Sequence, residues 1–172
     1  KSTGGQIEGI VLSPGNYCSA KCGYCYAETR FKNTPTDTTS EHILKKTFEL
    51  IRTHPLIKDG CSITIGGGGD PIENFDFYIK TIDLAREYQR RNGSKIPVYI
   101  STLDPRFLKE AYIDVILQNQ SWITLSIDGD PATTFDRAKP KFRHFLETYK
   151  SRCKWAASAV FTAKTAKHIA HN

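Results

Sequence analysis

Cys18-Ser19-Ala20-Lys21-Cys22-Gly23-Tyr24-Cys25 places three thiols within eight residues, three residues apart and then two. Thiolates this close on one loop can converge on a single soft metal centre. A tetrahedral zinc or a four-iron cluster each takes four ligands, and the spacing offers three. Three thiolates around a [4Fe–4S] cube leave one iron without a protein ligand, open to a small molecule. Zinc is the competing occupant, with His42, His54 or Cys61 as the fourth ligand.

Working outward from the cysteines, the chain alternates between two kinds of pattern. On the N-terminal side Gly9 to Ser13 is a short β-branched run closed by Pro14-Gly15, which reads as a buried strand. On the other side a long loop runs through about Phe31. Thr38 and Glu41 then form a capping box, with Ile43, Leu44, Phe48 and Ile51 at helical spacing, and Pro55 stops the helix near His54. Ser62 to Ile65 is a second strand and enters Gly66-Gly67-Gly68-Gly69-Asp70-Pro71. A helix over Phe75 to Arg91 follows, with Ile79, Ile82 and Ala85 inward and Asn92-Gly93 as a left-handed cap.

Ile96 to Ser101 is the third strand. Asp104-Pro105 is expected to cap and open the next helix, with Leu108, Ala111, Tyr112, Val115 and Ile116 buried. Trp122 to Ile127 is the fourth strand, ending in Asp128-Gly129. A helix from about Lys139 to Lys150 buries Phe142, Phe145, Leu146 and Tyr149. Trp155 to Phe161 is the fifth strand, and Thr162 to His168 begins a further helix.

Five strand–helix alternations with short apolar strands predict an α/β fold with parallel strands covered by helices, either a barrel or a doubly wound sheet. In both, ligands gather at the C-terminal strand ends. The unusual residues fall there: the cysteines after strand one, the glycines after strand two, Ser101 and Thr102 after strand three, Ser126 and Asp128 after strand four. The glycine run lacks the Lys-Ser/Thr of a phosphate loop and ends in Asp-Pro rather than opening a helix. It offers backbone groups at close approach instead.

The chain of 172 residues suits one domain, and no run of about 18 apolar residues is present to span a membrane. Five cysteines, three of them clustered, do not form a disulfide framework and imply a reducing, cytoplasmic setting. Cys61 and Cys153, each at the start of a strand, read as buried structural thiols. The net charge of +6 is scattered, and no basic motif interleaved with aromatics stands out, so nucleic acid is the disfavoured partner. The chain lacks any Met, which reads as a segment of a longer protein.

Cys18, Cys22 and Cys25, with Tyr24 before the last, resemble the CxxxCxxC signature of the radical S-adenosylmethionine (radical SAM) superfamily. Gly67-Gly68-Gly69-Asp70-Pro71 is similar to its "GGEP" motif. Leu125-Ser126-Ile127-Asp128-Gly129 is similar to the fourth-strand segment of the sulfatase-maturing, SPASM-type subset. The resemblance covers residues 1–172 as one radical SAM core domain, a partial TIM-like (β/α) barrel with about five of the usual six βα units and an incomplete C-terminus. It implies that Cys18, Cys22 and Cys25 hold a [4Fe–4S] cluster whose open iron chelates S-adenosyl-L-methionine. It implies that Gly67, Gly68 and Gly69 face the methionine amine, with Asp70 beside them, and that Tyr24 lies near the adenine. Ser126 and Asp128 would meet the ribose or carboxylate side, and Ser101 the same pocket.

The implied activity is reductive cleavage to a 5′-deoxyadenosyl radical that abstracts hydrogen from a substrate, a peptide or protein first, RNA or a nucleotide-derived small molecule second. The implied partners are that substrate and an electron donor such as flavodoxin or ferredoxin. A non-catalytic zinc- or cluster-binding regulatory module is the reading from another class. The subset's His-Asp and following Arg are replaced here by Phe135-Asp136 and Lys139. Arg137, Lys139 and Arg143 are the basic candidates for the cofactor carboxylate.

Overall fold

The computed structural model describes residues 5–15, 18–20, 22, 25, 39–126 and 135–158, the side chains of 39, 40, 135–139 and 142 excepted. Tyr24, Thr38, Asp128 and the helix expected over Thr162 to His168 lie outside the described residues, as do the side chains of Arg137 and Lys139.

Ten elements alternate as the sequence predicts. They are β1 (Ile7–Leu12), α1 (Thr39–Thr53), β2 (Ile57–Ile65), a 3-10 turn (Pro71–Asn74), α2 (Phe75–Asn92), β3 (Val98–Ile100), α3 (Glu110–Asn119), β4 (Trp122–Ser126), α4 (Phe135–Tyr149) and β5 (Lys154–Ser158). β1, β2 and β3 pair in parallel in that order, and β4 pairs in parallel with β5. Leu103, just past β3, bridges the two groups. Its N–H donates to Thr124 O at 2.9 Å and its carbonyl accepts from the Ser126 N–H at 2.8 Å, in parallel sense. The strand order is therefore sequential, which is the order of a partial (β/α) barrel.

One face of the strands packs under the helices. Ile63, Ile65, Val98, Ile100, Ile123 and Leu125 are buried there against Leu44, Phe75, Tyr78, Ile82, Ile113, Ile116, Phe145 and Tyr149. The intervening residues Ser62, Thr64, Tyr99 and Thr124 are half-buried on the other face, and Val11 is exposed. This alternation is sharper than the continuous apolar runs expected of strands buried on both sides.

Five expectations need correction. β2 begins at Ile57 rather than Ser62. Its first half reaches β1 through an irregular register between Ile7 and Gly9, with Gly60 at φ 77°. A glycine at positive φ inside a strand pattern marks such a bulge and hides the strand from a periodicity reading. Cys61 consequently sits within a strand and not at its start.

α3 begins at Glu110, not at Asp104-Pro105. Asp104 closes an Asx turn instead, its Oδ1 accepting the Arg106 N–H at 2.9 Å. The buried face rotates accordingly: Ile113 is inward and Ala111 is exposed. α4 begins at Phe135, four residues before the expected start, and carries Pro140 inside it. As the sixth residue, Pro140 lies past the four N–H groups that no helix bonds internally, so it removes one intrahelical bond. α2 ends as expected, at Gly93 with φ 78°, whose N–H donates to Gln89 O at 2.8 Å.

Candidate functional site

The C-terminal strand edge is built from backbone pairing. The Gly66 N–H donates to Leu12 O and the Ser101 N–H to Ile65 O, both at 2.9 Å, and Leu103 ties Ser126 into the same edge. Gly66, Ser101 and Ser126 thus share one rim with the end of β1, from which the cysteine loop departs. Gly66 and Ser101 are in close contact. A Cβ on Gly66 would stand 2.2 Å from Ser101 Oγ and 2.8 Å from its Cβ, so that position is closed to any side chain. Gly67 is exposed with φ 100°, a conformation that favours glycine, and Gly68 and Gly69 are half-buried beside it.

The 3-10 turn after the glycines holds the cysteine loop. Glu73 accepts two hydrogen bonds from Ser19, from its N–H to Oε2 at 2.7 Å and from its hydroxyl to Oε1 at 2.6 Å. Asn74 Nδ2 donates to Pro14 O at 2.9 Å. One short segment thereby grips the loop on both sides of residues 16–17. Neither Glu73 nor Asn74 belongs to a motif of its own. The signal for them is a carboxylate and an amide directly behind the glycine run, at the rim where a neighbouring loop needs partners.

Asp70 has both carboxylate oxygens engaged by backbone, Oδ1 by the Ile72 N–H at 2.9 Å and Oδ2 by the Asp104 N–H at 2.5 Å. It caps the 3-10 turn and joins it to the segment after β3. Burial pushes its carboxyl up to about 7 despite those two amides. Asp104 is itself buried, at 3% exposure, and its carboxylate meets the Arg106 guanidinium. Arg106 Nε lies 3.0 and 2.9 Å from the two oxygens, and Nη2 lies 2.5 Å from Oδ2. Nη2 also donates to Ala20 O at 3.4 Å. Arg106 has no local signal, because Asp104-Pro105 reads as a helix opening.

Cys18, Cys22 and Cys25 are half-buried on this loop and outside any disulfide, and the Cys25 N–H donates to Cys22 O at 3.0 Å. Burial pushes the Cys18 thiol up, while backbone N–H groups of Ala20 and Asp70 pull it back. Among the described residues no three Cys, His, Asp or Glu side chains form a closed metal-ligand group, so the loop brings the thiols close along the chain without closing a ligand set. Ordering of a ligand loop is coupled to metal binding.

Cys61 and His54, two of the candidate fourth zinc ligands, lie away from the strand edge that carries the cysteine loop. Cys61 is buried in the core four residues back along β2 from Ile65, about 13 Å by strand rise. His54 follows α1 at the opposite end of the fold, with its Nδ1 accepting the Leu56 N–H at 3.2 Å. His42 is exposed on α1, and Arg143 is exposed on α4.

A model of the Radical SAM superfamily matches residues 12–167. The Cysteine-type anaerobic sulfatase-maturating enzyme of Clostridium perfringens is 21% identical over 184 aligned residues, 93% of this chain and 46% of that protein. Among solved structures, native anSMEcpe with bound AdoMet superposes with a TM-score of 0.69 at 20% identity, covering 94% of this chain and 46% of that one. Native anSMEcpe with bound AdoMet and Cp18Cys peptide superposes with a TM-score of 0.67 at 20% identity, covering 94% and 45%. The chain spans about half the length of these relatives. The superpositions bear out the partial TIM-like barrel. With the family match extending from the end of β1 past β5, the chain belongs to the radical SAM superfamily, whose cofactors are a [4Fe–4S] cluster and S-adenosylmethionine.

Proposed function

We propose that this chain is the cofactor-binding core of an enzyme that cleaves S-adenosylmethionine reductively and abstracts hydrogen from a peptide or protein. One observation carries the reading: the cysteine loop is fastened by Glu73 and Asn74 to the turn that follows the glycine run. Three soft donors are thereby seated beside an open backbone at the C-terminal strand edge.

The donor set fits the cluster. The three thiols are outside any disulfide, half-buried and on one short loop, and soft sulfur ligands suit iron–sulfur chemistry. Cys18, Cys22 and Cys25 would hold three irons. When bound, the cluster and S-adenosylmethionine supply the one-electron and hydrogen-abstraction chemistry. The protein's work is positioning. Gly67, Gly68 and Gly69 offer backbone groups to the amino end of the cofactor. Ser101 and Ser126 hold hydroxyls on the rim for its ribose or carboxylate; Asp128 would serve the same side and Tyr24 the adenine. Asp70 fixes the floor under Cys18 with both its oxygens engaged by backbone, a positioning role in place of direct contact. Among the described residues no helix is long and apolar enough to cross a membrane, and we place the enzyme in the cytoplasm with a flavodoxin- or ferredoxin-like electron donor.

A peptide substrate is favoured because the matched relative is a sulfatase-maturating enzyme and one matched structure holds a peptide. The test is anaerobic reconstitution of the full-length protein with iron and sulfide. A cluster absorption band lost in Cys22→Ala, and 5′-deoxyadenosine formed with dithionite, are the expected results. Stoichiometric zinc with no cluster uptake would overturn the enzyme reading in favour of a binding module. Deoxyadenosine formation stimulated by RNA or a nucleotide, and by no peptide, would overturn the substrate class.

A further inference from the structure

Arg106 is a charge that the proposed reaction does not yet use. It follows β3, yet its guanidinium reaches across to the cysteine loop, where Nη2 donates to the carbonyl of Ala20, midway between Cys18 and Cys22. Its side chain is 15% exposed and that of Asp104 is 5% exposed, so neither is a solvated surface group. Three nitrogen-to-oxygen contacts with Asp104 fix its plane, and the Asp104 N–H is in turn fixed by Asp70. The face of Phe107 lies 5.4 Å from the guanidinium carbon. With Nε and Nη2 already committed, this arginine is a fixture rather than a hand held out to a substrate.

Its electrostatic neighbours are the cysteines. Asp104 first raises the affinity of the guanidinium for its proton, and Cys22 and Cys18 add to that. Among the described residues that bond to the loop, Glu73 and Asp70 bring negative charge and Arg106 brings positive charge. A cationic group held beside thiolate ligands stabilises the more negative of two redox states. In a partly buried position water screens that effect less than at the surface. Charge and hydrogen bonding around the sulfurs are the means by which a protein sets an iron–sulfur potential.

We propose that Arg106, held by Asp104, is a positioning residue that straps the cysteine loop and raises the reduction potential of the cluster bound there. The proposal rests on the cluster reading above, and the two fail in different ways.

The test uses the full-length protein, reconstituted anaerobically, as wild type, Arg106→Gln, Arg106→Lys and Asp104→Asn. Iron and sulfide content are measured, and the midpoint potential is read by an EPR-monitored redox titration without S-adenosylmethionine. Arg106→Gln is expected to shift the potential to more negative values. Arg106→Lys keeps the charge without the planar fork and stays nearer to wild type. Asp104→Asn leaves the guanidinium less neutralised and shifts the potential upward. A fully loaded Arg106→Gln protein with an unchanged or higher potential overturns the proposal. If that variant takes up no iron, Asp104→Asn decides, and the absence of an upward shift overturns it. Zinc uptake without a cluster in the wild type would instead defeat the functional reading, before any variant is compared.

Discussion

Gly66 shows what a single residue contributes at this rim. Its φ is ordinary for any amino acid, so the requirement is purely one of space: Ser101 Oγ occupies the position a Cβ would take. Gly66→Ala is expected to cost about 1–3 kcal/mol by overpacking. The double variant Gly66→Ala/Ser101→Gly should recover more than half of that loss in urea unfolding, because the clash and its partner disappear together. No recovery would mean that the glycine answers to something other than Ser101. Glu73 acts by charge-assisted hydrogen bonds. Glu73→Gln keeps one acceptor oxygen for Ser19 and turns an amide donor toward the other Ser19 donor. Losing one such bond is worth about 1.5–3 kcal/mol where partly buried. The expected readout is a lower urea midpoint together with reduced iron uptake, since the same bonds seat the loop that carries Cys18. An unchanged midpoint would show the clamp to be incidental.

The seam between β3 and β4 is the weak point among the elements. The two strands meet through Leu103 alone by backbone bridge, and the gap beneath it is filled by a side chain. Gln120, 4% exposed, accepts the Ile100 N–H on Oε1 at 2.8 Å. Its Nε2 donates to Trp122 O at 2.7 Å and to Ile100 O at 3.5 Å. The amide of one glutamine therefore substitutes for a rung of the sheet. Gln120→Leu matches the volume but orphans buried backbone groups. It is expected to lower stability by about 2–4 kcal/mol and to accelerate hydrogen exchange at the Ile100 amide selectively. Exchange at Ile100 that stays as slow as at Ile65 would contradict this role. Nothing in the spacing of Asn119-Gln120-Ser121 announces it, since a polar residue after a helix ordinarily belongs to a solvated turn.

At the scale of the whole molecule, the core and the site are built from separate residues. The buried cluster runs from Leu12 to Tyr149 without Cys18, Cys22 or Cys25. Removing iron by chelation should therefore leave the far-UV circular dichroism of a mixed α/β protein and a cooperative unfolding transition. The melting temperature should fall, because binding to the folded state alone stabilises it. Loss of secondary structure on chelation would show instead that the cluster organises the core. The family and its cofactors were legible in Cys18 to Cys25 and in Gly67 to Asp70 because thiol spacing and a glycine run are local properties. The order of strands followed from hydrophobic patterning for the same reason. Where a residue's role depends on what arrives from elsewhere in the chain, pattern was silent. The first half of β2 was hidden by a bulge, and the true start of α3 by an Asp-Pro pair that closes a turn. The sequence by itself determined a βα-repeating member of its family with three thiols at the strand edge. That Glu73, Asn74 and Arg106 bond to Ser19, Pro14 and Ala20 around Cys18 is a matter of tertiary structure. Long-range hydrogen bonds are made between segments whose separation along the chain leaves no local trace.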